Sequence, residues 1–400
     1  MSGNNENPIS MEEFEQLLQK AENGDAEAQF RLGNCYSFGN GVDGNKAEAA
    51  RWYRKAAEQG HASAQYNMGF CYANGEGVSG DEAEAVKWFR RAADQGNLRG
   101  IASLGACYVN GEGVLQNPEE AVSLFKRAAD GGEPVAQYYL GLLYAGGIGV
   151  SKDETEAVKW YRRAAEQGIA DAQHNLGICY KKGEGVSEDG AEAVKWFRKA
   201  AERGIADAQN NLGACYESGC GVSEDKAEAV KWFRKAAEQG FAIAQNNLGL
   251  CYENGIGVSR DEAEAVKWFR KAAEQGNVNA QYSLGFCYYD GDGVSKDEAE
   301  AVKWFRRAAE QGNAAAQYNL GVCYYNGDGV SEDQAEAVKW FREAAEQGYA
   351  AAQYSLGYCC EKGEGVSVNQ AEAVKWYRRA AEQGFEPAFE ALKQCRENER

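Results

Sequence analysis

The chain has 400 residues, 44% of them hydrophobic and only four of them proline, with a net charge of −18 from 61 acidic against 43 basic residues. So acidic a chain is repelled by nucleic acid and by anionic lipid, and no apolar run approaches the roughly 18–20 residues that span a bilayer. This length would ordinarily hold two or three globular domains, but an internal period overrides that count. The stretch Ala-Glu-Ala-Val-Lys-Trp-Phe-Arg-Lys-Ala-Ala-Glu-Gln-Gly stands at 227–240 and again, unchanged, at 263–276, an interval of 36 residues. Close copies at 83–96, 155–168, 191–204, 299–312, 335–348 and 371–384 keep the register. A fixed period of this size indicates a stacked array of helical units.

In chain order, residues 1–9 read as a disordered lead, without the basic patch and apolar core of a secretory signal. Residues 10–24 read as an N-terminal capping helix. Phe14, Leu17 and Leu18 give one apolar face, Ser10 and Glu13 fit a capping box, and Gly24 stops the helix. Ten tandem repeats fill residues 25–384, and residues 385–400 form a C-terminal capping helix and tail, with Lys393 where the repeats carry glycine.

The second repeat, residues 61–96, serves as the specimen. Its first helix carries Ala64, Met68, Cys71 and Tyr72 at the spacing of a buried face. Gly69 lies on that face although a mid-helix glycine costs about 1 kcal/mol, which implies a close helix crossing. Gly75 and Gly77 turn the chain, and Val78 plugs the loop. Asp81 with Glu84 then forms a capping box, a pairing of Asp or Asn with Glu that recurs in all ten repeats. Ala85, Val86, Trp88, Phe89, Ala92 and Ala93 cover more than half of the second helix, so it must touch neighbours on two sides. The fold expected is an all-α solenoid of helix-turn-helix repeats.

The succession Ala-x-Ala-Gln-x-x-Leu-Gly-x-x-Tyr, Gly-x-Gly-Val, Ala-Val-x-Trp-Phe/Tyr-x-x-Ala-Ala-x-x-Gly resembles the Sel-one-like repeat family, a relative of the tetratricopeptide repeats, over residues 11–397. The resemblance implies a right-handed α/α superhelix whose first helices line a concave groove, serving as a non-enzymatic scaffold or adaptor for a protein or peptide partner. Secreted relatives bridge paired cysteines; this chain lacks the second cysteine of each pair.

Ten of its twelve cysteines, Cys35 to Cys395, share one register, which places neighbours about 8–10 Å apart. A disulfide needs about 7 Å or less. Small buried thiols in a reducing, cytoplasmic setting are expected. Cys220 and Cys360 stand outside the register.

No catalytic constellation emerges. Gly39–Gly44 and Gly75–Gly80 match a dinucleotide-binding pattern but follow helices, not strands. Ser123 and Lys126 match Ser-x-x-Lys without the companion motifs of penicillin-recognising enzymes, so a cell-wall-amide or β-lactam hydrolase is the weaker rival reading. His174 and Cys179 are five apart and share no ligating face, and the loop acids Asp290, Asp292, Asp297 and Glu298 lack calcium-loop spacing. No cofactor or metal is expected. Near-identical repeats also fit a structural or consensus-designed array without a dedicated ligand.

The residues that the repeat leaves unfixed lie on one face of the first helices. One series holds Tyr66, Ala102, Tyr138, His174, Asn210, Asn246, Tyr282, Tyr318 and Tyr354. The next position holds Asn67, Tyr139, Asn175, Asn211, Asn247 and Asn319, and a third series includes Phe70, Leu250, Phe286 and Tyr358. Rings supply contact area and amides bond a peptide backbone, so these residues are the candidate partner site, with a basic partner favoured by charge. The Tyr66 series is expected to be open and the Phe70 series partly buried. In repeat three, Gly100, Ile101, Ala102, Ser103, Ala106 and Leu124 depart from the pattern, as does Leu143 beyond it. Drift fits these changes, and so does a pocket rimmed by Tyr66 and Tyr138.

Overall fold

The structure, a computed structural model, describes residues 9–398, with side chains to residue 395. The lead expected at residues 1–9 lies outside them except for Ile9, whose N–H donates to Asn40 Oδ1 at 3.1 Å. Twenty-two α-helices and no strands occur among the described residues.

The chain divides into two compact units, residues 1–200 and 201–400. The first holds α1 (Met11–Glu22), α2 (Ala26–Phe38), α3 (Lys46–Glu58), α4 (Ala62–Asn74), α5 (Glu82–Asp94), α6 (Leu98–Asn110), α7 (Pro118–Asp130), α8 (Pro134–Gly146), α9 (Glu154–Glu166) and α10 (Ala170–Lys182), and the boundary falls within α11 (Gly190–Glu202). The second holds α12 (Ala206–Ser218), α13 (Lys226–Glu238), α14 (Ala242–Asn254), α15 (Glu262–Glu274), α16 (Val278–Asp290), α17 (Glu298–Glu310), α18 (Ala314–Asn326), α19 (Gln334–Glu346), α20 (Ala350–Lys362), α21 (Gln370–Glu382) and α22 (Glu386–Asn398). Consecutive helices pack on one another from α1 to α10 in the first unit and from α12 to α22 in the second, as the all-α solenoid requires.

The buried faces follow the expected letters. On α15 they are Ala265, Val266, Trp268, Phe269, Ala272 and Ala273, and on α14 they include Ala244, Gln245, Leu248, Gly249 and Cys251. What excludes a side chain at Gly249 is the Phe269 ring, to which an added Cβ would come within 2.6 Å. The glycine therefore seats an aromatic ring of its own repeat, not a bare backbone crossing.

One local expectation needs correcting. At Ser10 the capping box closes in both directions. In the repeats only half of it forms. Asp261 accepts from the Glu264 N–H at 2.9 Å, but the Glu264 carboxylate turns to Lys267 at 2.8 Å. A lysine three residues on offers a charge-assisted partner, and the Asp261 N–H already donates to the Tyr252 carbonyl at 2.9 Å.

Glutamine, legible in the sequence only as a motif letter, links the repeats. Gln245 is buried, donates to the Ala237 carbonyl of the preceding repeat at 3.1 Å, and accepts from Gln275 at 2.7 Å. Gln65 does the same with Ala57 and Gln95. Repeat three breaks this link, with Ile101 and Gly131 standing where both glutamines belong. There Arg127 donates to the Ala93 carbonyl at 2.5 Å. Its counterpart Arg91 lies 4.5 Å from the Trp88 ring, but repeat three has Leu124 in place of that tryptophan, which frees the guanidinium. Arg127→Met is expected to cost about 1–2 kcal/mol, the worth of a charge-assisted bond. Arg163→Met, which only uncovers Trp160, should cost under about 1 kcal/mol. Urea unfolding of the two variants checks the difference.

Candidate functional site

The first-helix face is set by α-helical spacing: positions i, i+1 and i+4 point away from the buried alanine, leucine and glycine. Tyr66, Tyr138, His174, Asn210, Tyr282, Tyr318 and Tyr354 are all half-buried. Their aromatic members lie against a ring of the second helix of the same repeat. Ring centroids are 6.1 Å apart for Tyr66 and Phe89, 5.9 Å for His174 and Phe197, 5.8 Å for Tyr318 and Phe341, and 5.5 Å for Tyr354 and Tyr377. Each ring is thus a partial lid on the core and presents only part of its surface. Asn246 departs from expectation altogether. It is 6% exposed, and its Oδ1 is buried without a hydrogen-bond donor.

Lid geometry also explains repeat three. Ala102 is too small to cover Phe125, and Tyr139 of the next repeat stacks on that ring instead, at 5.2 Å and 11°. A ring from the neighbouring repeat therefore packs on Phe125 beside Ala102, which favours drift over the alternative of a pocket. Tyr139 packs with the same core cluster as Tyr66 and Ala106.

The asparagine series is also partly committed. Asn67, Asn175 and Asn211 are half-buried. Asn247 donates to Asn210 Oδ1 at 3.0 Å, and Asn319 donates to the Tyr282 hydroxyl at 3.5 Å. These amides tie neighbouring repeats together, which leaves fewer groups for a peptide backbone than composition implies.

The third series is half-buried at most positions, as expected, and open at two. Phe286 is 43% exposed and Leu250 36%, whereas Phe70 and Tyr358 are half-buried. These side chains have no second-helix ring beneath them to hold them down. Sequence spacing identifies the face but not what lies under it, so it cannot rank the rows.

Carboxylates border this face in the second unit. The Tyr289 hydroxyl donates to Asp328 Oδ2 at 2.9 Å, and Tyr325 donates to Glu364. Asp328 helps to push the Tyr289 hydroxyl up to about 12, after burial as the larger cause. No sequence signal pointed to these pairs, because the partners sit 39 residues apart.

The other sequence candidates stay apart. Ser123 is exposed on α7, and the Gly75–Gly80 stretch follows α4. Among the described residues no group of three or more His, Cys, Asp or Glu side chains is arranged for a metal ion. Among the described residues no cysteine forms a disulfide; Cys220 is half-buried and the other eleven are buried. Burial pushes the Cys251 thiol up to about 12, which suppresses the reactive thiolate. Among the described residues no helix is long and apolar enough to cross a membrane.

Comparison with known proteins agrees with this construction. The Sel1 repeat model matches residues 26–61, 62–97, 99–133, 134–169, 170–205, 206–241, 242–277, 278–313, 314–349 and 350–385. A protective antigen present in uropathogenic Escherichia coli strains, displaying an SLR fold, is 41% identical, with 95% of this chain and 82% of that one covered and a TM-score of 0.85. A Sel1 repeat protein from Oxalobacter formigenes is 38% identical, with 77% of this chain and 90% of that one covered and a TM-score of 0.61. No curated protein matches the chain. The buried alanine, glycine and ring positions described above fall inside ten consecutive matched units, and the chain belongs to the Sel1 repeat family.

Proposed function

We propose that the chain is a non-enzymatic protein-interaction scaffold that holds a peptide or partner domain on its first-helix face. Sel1 repeat proteins generally serve as such scaffolds, which supports the class of function. The observation that carries the reading to this face is the exposure of Leu250 and Phe286 in the same row of consecutive first helices. Large apolar side chains left adjacent and open mark contact surfaces. By contrast the equivalent tryptophans and phenylalanines of the second helices are spent on packing. Tyr358, Asn319 and Asn247 extend the same face with half-exposed polar and aromatic groups.

A photo-crosslinking residue placed at Phe286 or Tyr358 tests this in the cells that make the protein. Discrete protein adducts are expected from both positions and not from Lys303, which is exposed on a second helix. Adducts from Lys303 alone would place the contact surface elsewhere. Tyr282, Tyr318 and Tyr354 are poor probes, because their rings also cover the core.

A further inference from the structure

In the last repeats of the second unit, a tyrosine on the first helix donates to a loop acid of the following repeat. Tyr289 does so to Asp328, and Tyr325 to Glu364. One repeat earlier the same two positions hold Glu253 and Asp292. Here two carboxylates stand where the next repeats have a donor and an acceptor. The consequences are visible. Asp292 is exposed, whereas Asp328 and Glu364 are half-buried. Burial and then the Asp292 charge push the Glu253 carboxyl above its ordinary range, against the bond from Asn254 and the charge of Arg260. Arg260, whose charge acts on Glu253, already pairs with Glu262 at 2.6 Å, and Glu253 accepts a 3.3 Å bond from the adjacent Asn254.

Three further features surround this pair. Leu250 lies one turn before Glu253 on α14, and Phe286 holds the Leu250 position on α16; both are exposed. The Tyr282 ring lies 6.1 Å from Phe286. One turn before Leu250, Asn246 is buried with an unpartnered Oδ1.

We propose that this part of the first-helix face receives an extended arginine-containing peptide. Its guanidinium enters between Glu253 and Asp292 in the donor's place, and an adjacent apolar side chain lies on Leu250 and Phe286. A guanidinium suits the place because its several planar donors can serve two carboxylates at once and its face stacks on aromatic rings. The inference rests on the scaffold reading and adds the partner's chemistry to it.

The test uses the full chain and a fluorescent peptide alternating arginine and leucine, with a glutamate–leucine peptide and an arginine–serine peptide as controls. The first should bind, the second should not, and the third should bind roughly tenfold more weakly. Glu253→Gln with Asp292→Asn should weaken binding at least tenfold. Glu253→Tyr, which copies the arrangement of the next repeat, should abolish binding with the helical spectrum and melting midpoint retained. Absence of binding to the wild-type chain, or binding untouched by these substitutions, overturns the proposal. So does calcium chloride that saturates the pair and excludes the peptide at micromolar concentration, since the pair would then be a metal seat. If the peptide fails while crosslinks from Phe286 or Tyr358 still capture a protein, the scaffold reading stands and only the arginine chemistry falls.

Discussion

Replacing Gly257 with alanine should destabilise the second unit by about 2–5 kcal/mol, whereas the same change at Gly276 should cost only about 1 kcal/mol. Both glycines have positive φ, 67° and 88°, a conformation that costs an L-residue about 1–2 kcal/mol. Their surroundings differ. A Cβ at Gly276 meets nothing within 4 Å, but at Gly257 it falls on the carbonyl oxygen of Lys226, in the first turn of the preceding repeat's second helix. That carbonyl belongs to helix backbone and cannot swing aside, so the overlap adds about 1–3 kcal/mol. The loop glycine is thus part of the joint between repeats. Urea unfolding gives the two costs. Hydrogen exchange should show the Gly257→Ala loss concentrated in α13 and α14, because a stacked array is stabilised by nearest-neighbour contacts. Equal costs for the two variants would mean that the repeats slide apart freely, against the joint described.

Most of the fold was legible because its signals are local and repeated. Glycines at fixed offsets, an Asp or Asn before each second helix, and apolar letters at helical spacing each fix a turn, a cap or a face without reference to distant residues. What the sequence hid are relations across repeats. Ile101, Leu124 and Gly131 look like three separate departures. Only in space do they become one rearrangement, in which Arg127 leaves an absent tryptophan to serve the carbonyl that a glutamine would have served. The capping box was half misread because the template names the N-cap and Glu positions but not the competing lysine three residues on. At the candidate site, spacing defines a helix face but not the depth of each side chain on it. A tyrosine letter does not say whether a ring lies beneath it, and for Tyr66, Tyr318 and Tyr354 one does. Asn246 shows the same limit of the letter: it is buried, whereas Asn210, the same residue one repeat earlier, is half-buried. The Glu253–Asp292 pair had no signature at all, being recognisable only against the Tyr289–Asp328 bond that it replaces.

The second large effect concerns the buried pair Gly249 and Phe269. Phe269→Ala should cost about 3–5 kcal/mol, since its ring is fully buried and its removal leaves a cavity as well as a lost transfer term. Gly249→Ala should cost about 1–3 kcal/mol, because the added methyl lands within 2.6 Å of that ring, whose neighbours leave it no room to retreat. The two changes are expected not to add. With the ring gone, the methyl occupies part of the void it would otherwise have collided with, so the double variant should be about 1–2 kcal/mol more stable than the sum predicts. Additive costs in a urea-based double-mutant cycle would show that the methyl displaces the helix and not the ring. The last helix carries a natural counterpart of this logic. At the glycine position of α22 stands Lys393, exposed to solvent. Among the described residues no second-helix ring packs on that point, whereas at each repeat glycine a ring does, so the ring is what demands glycine in the repeats.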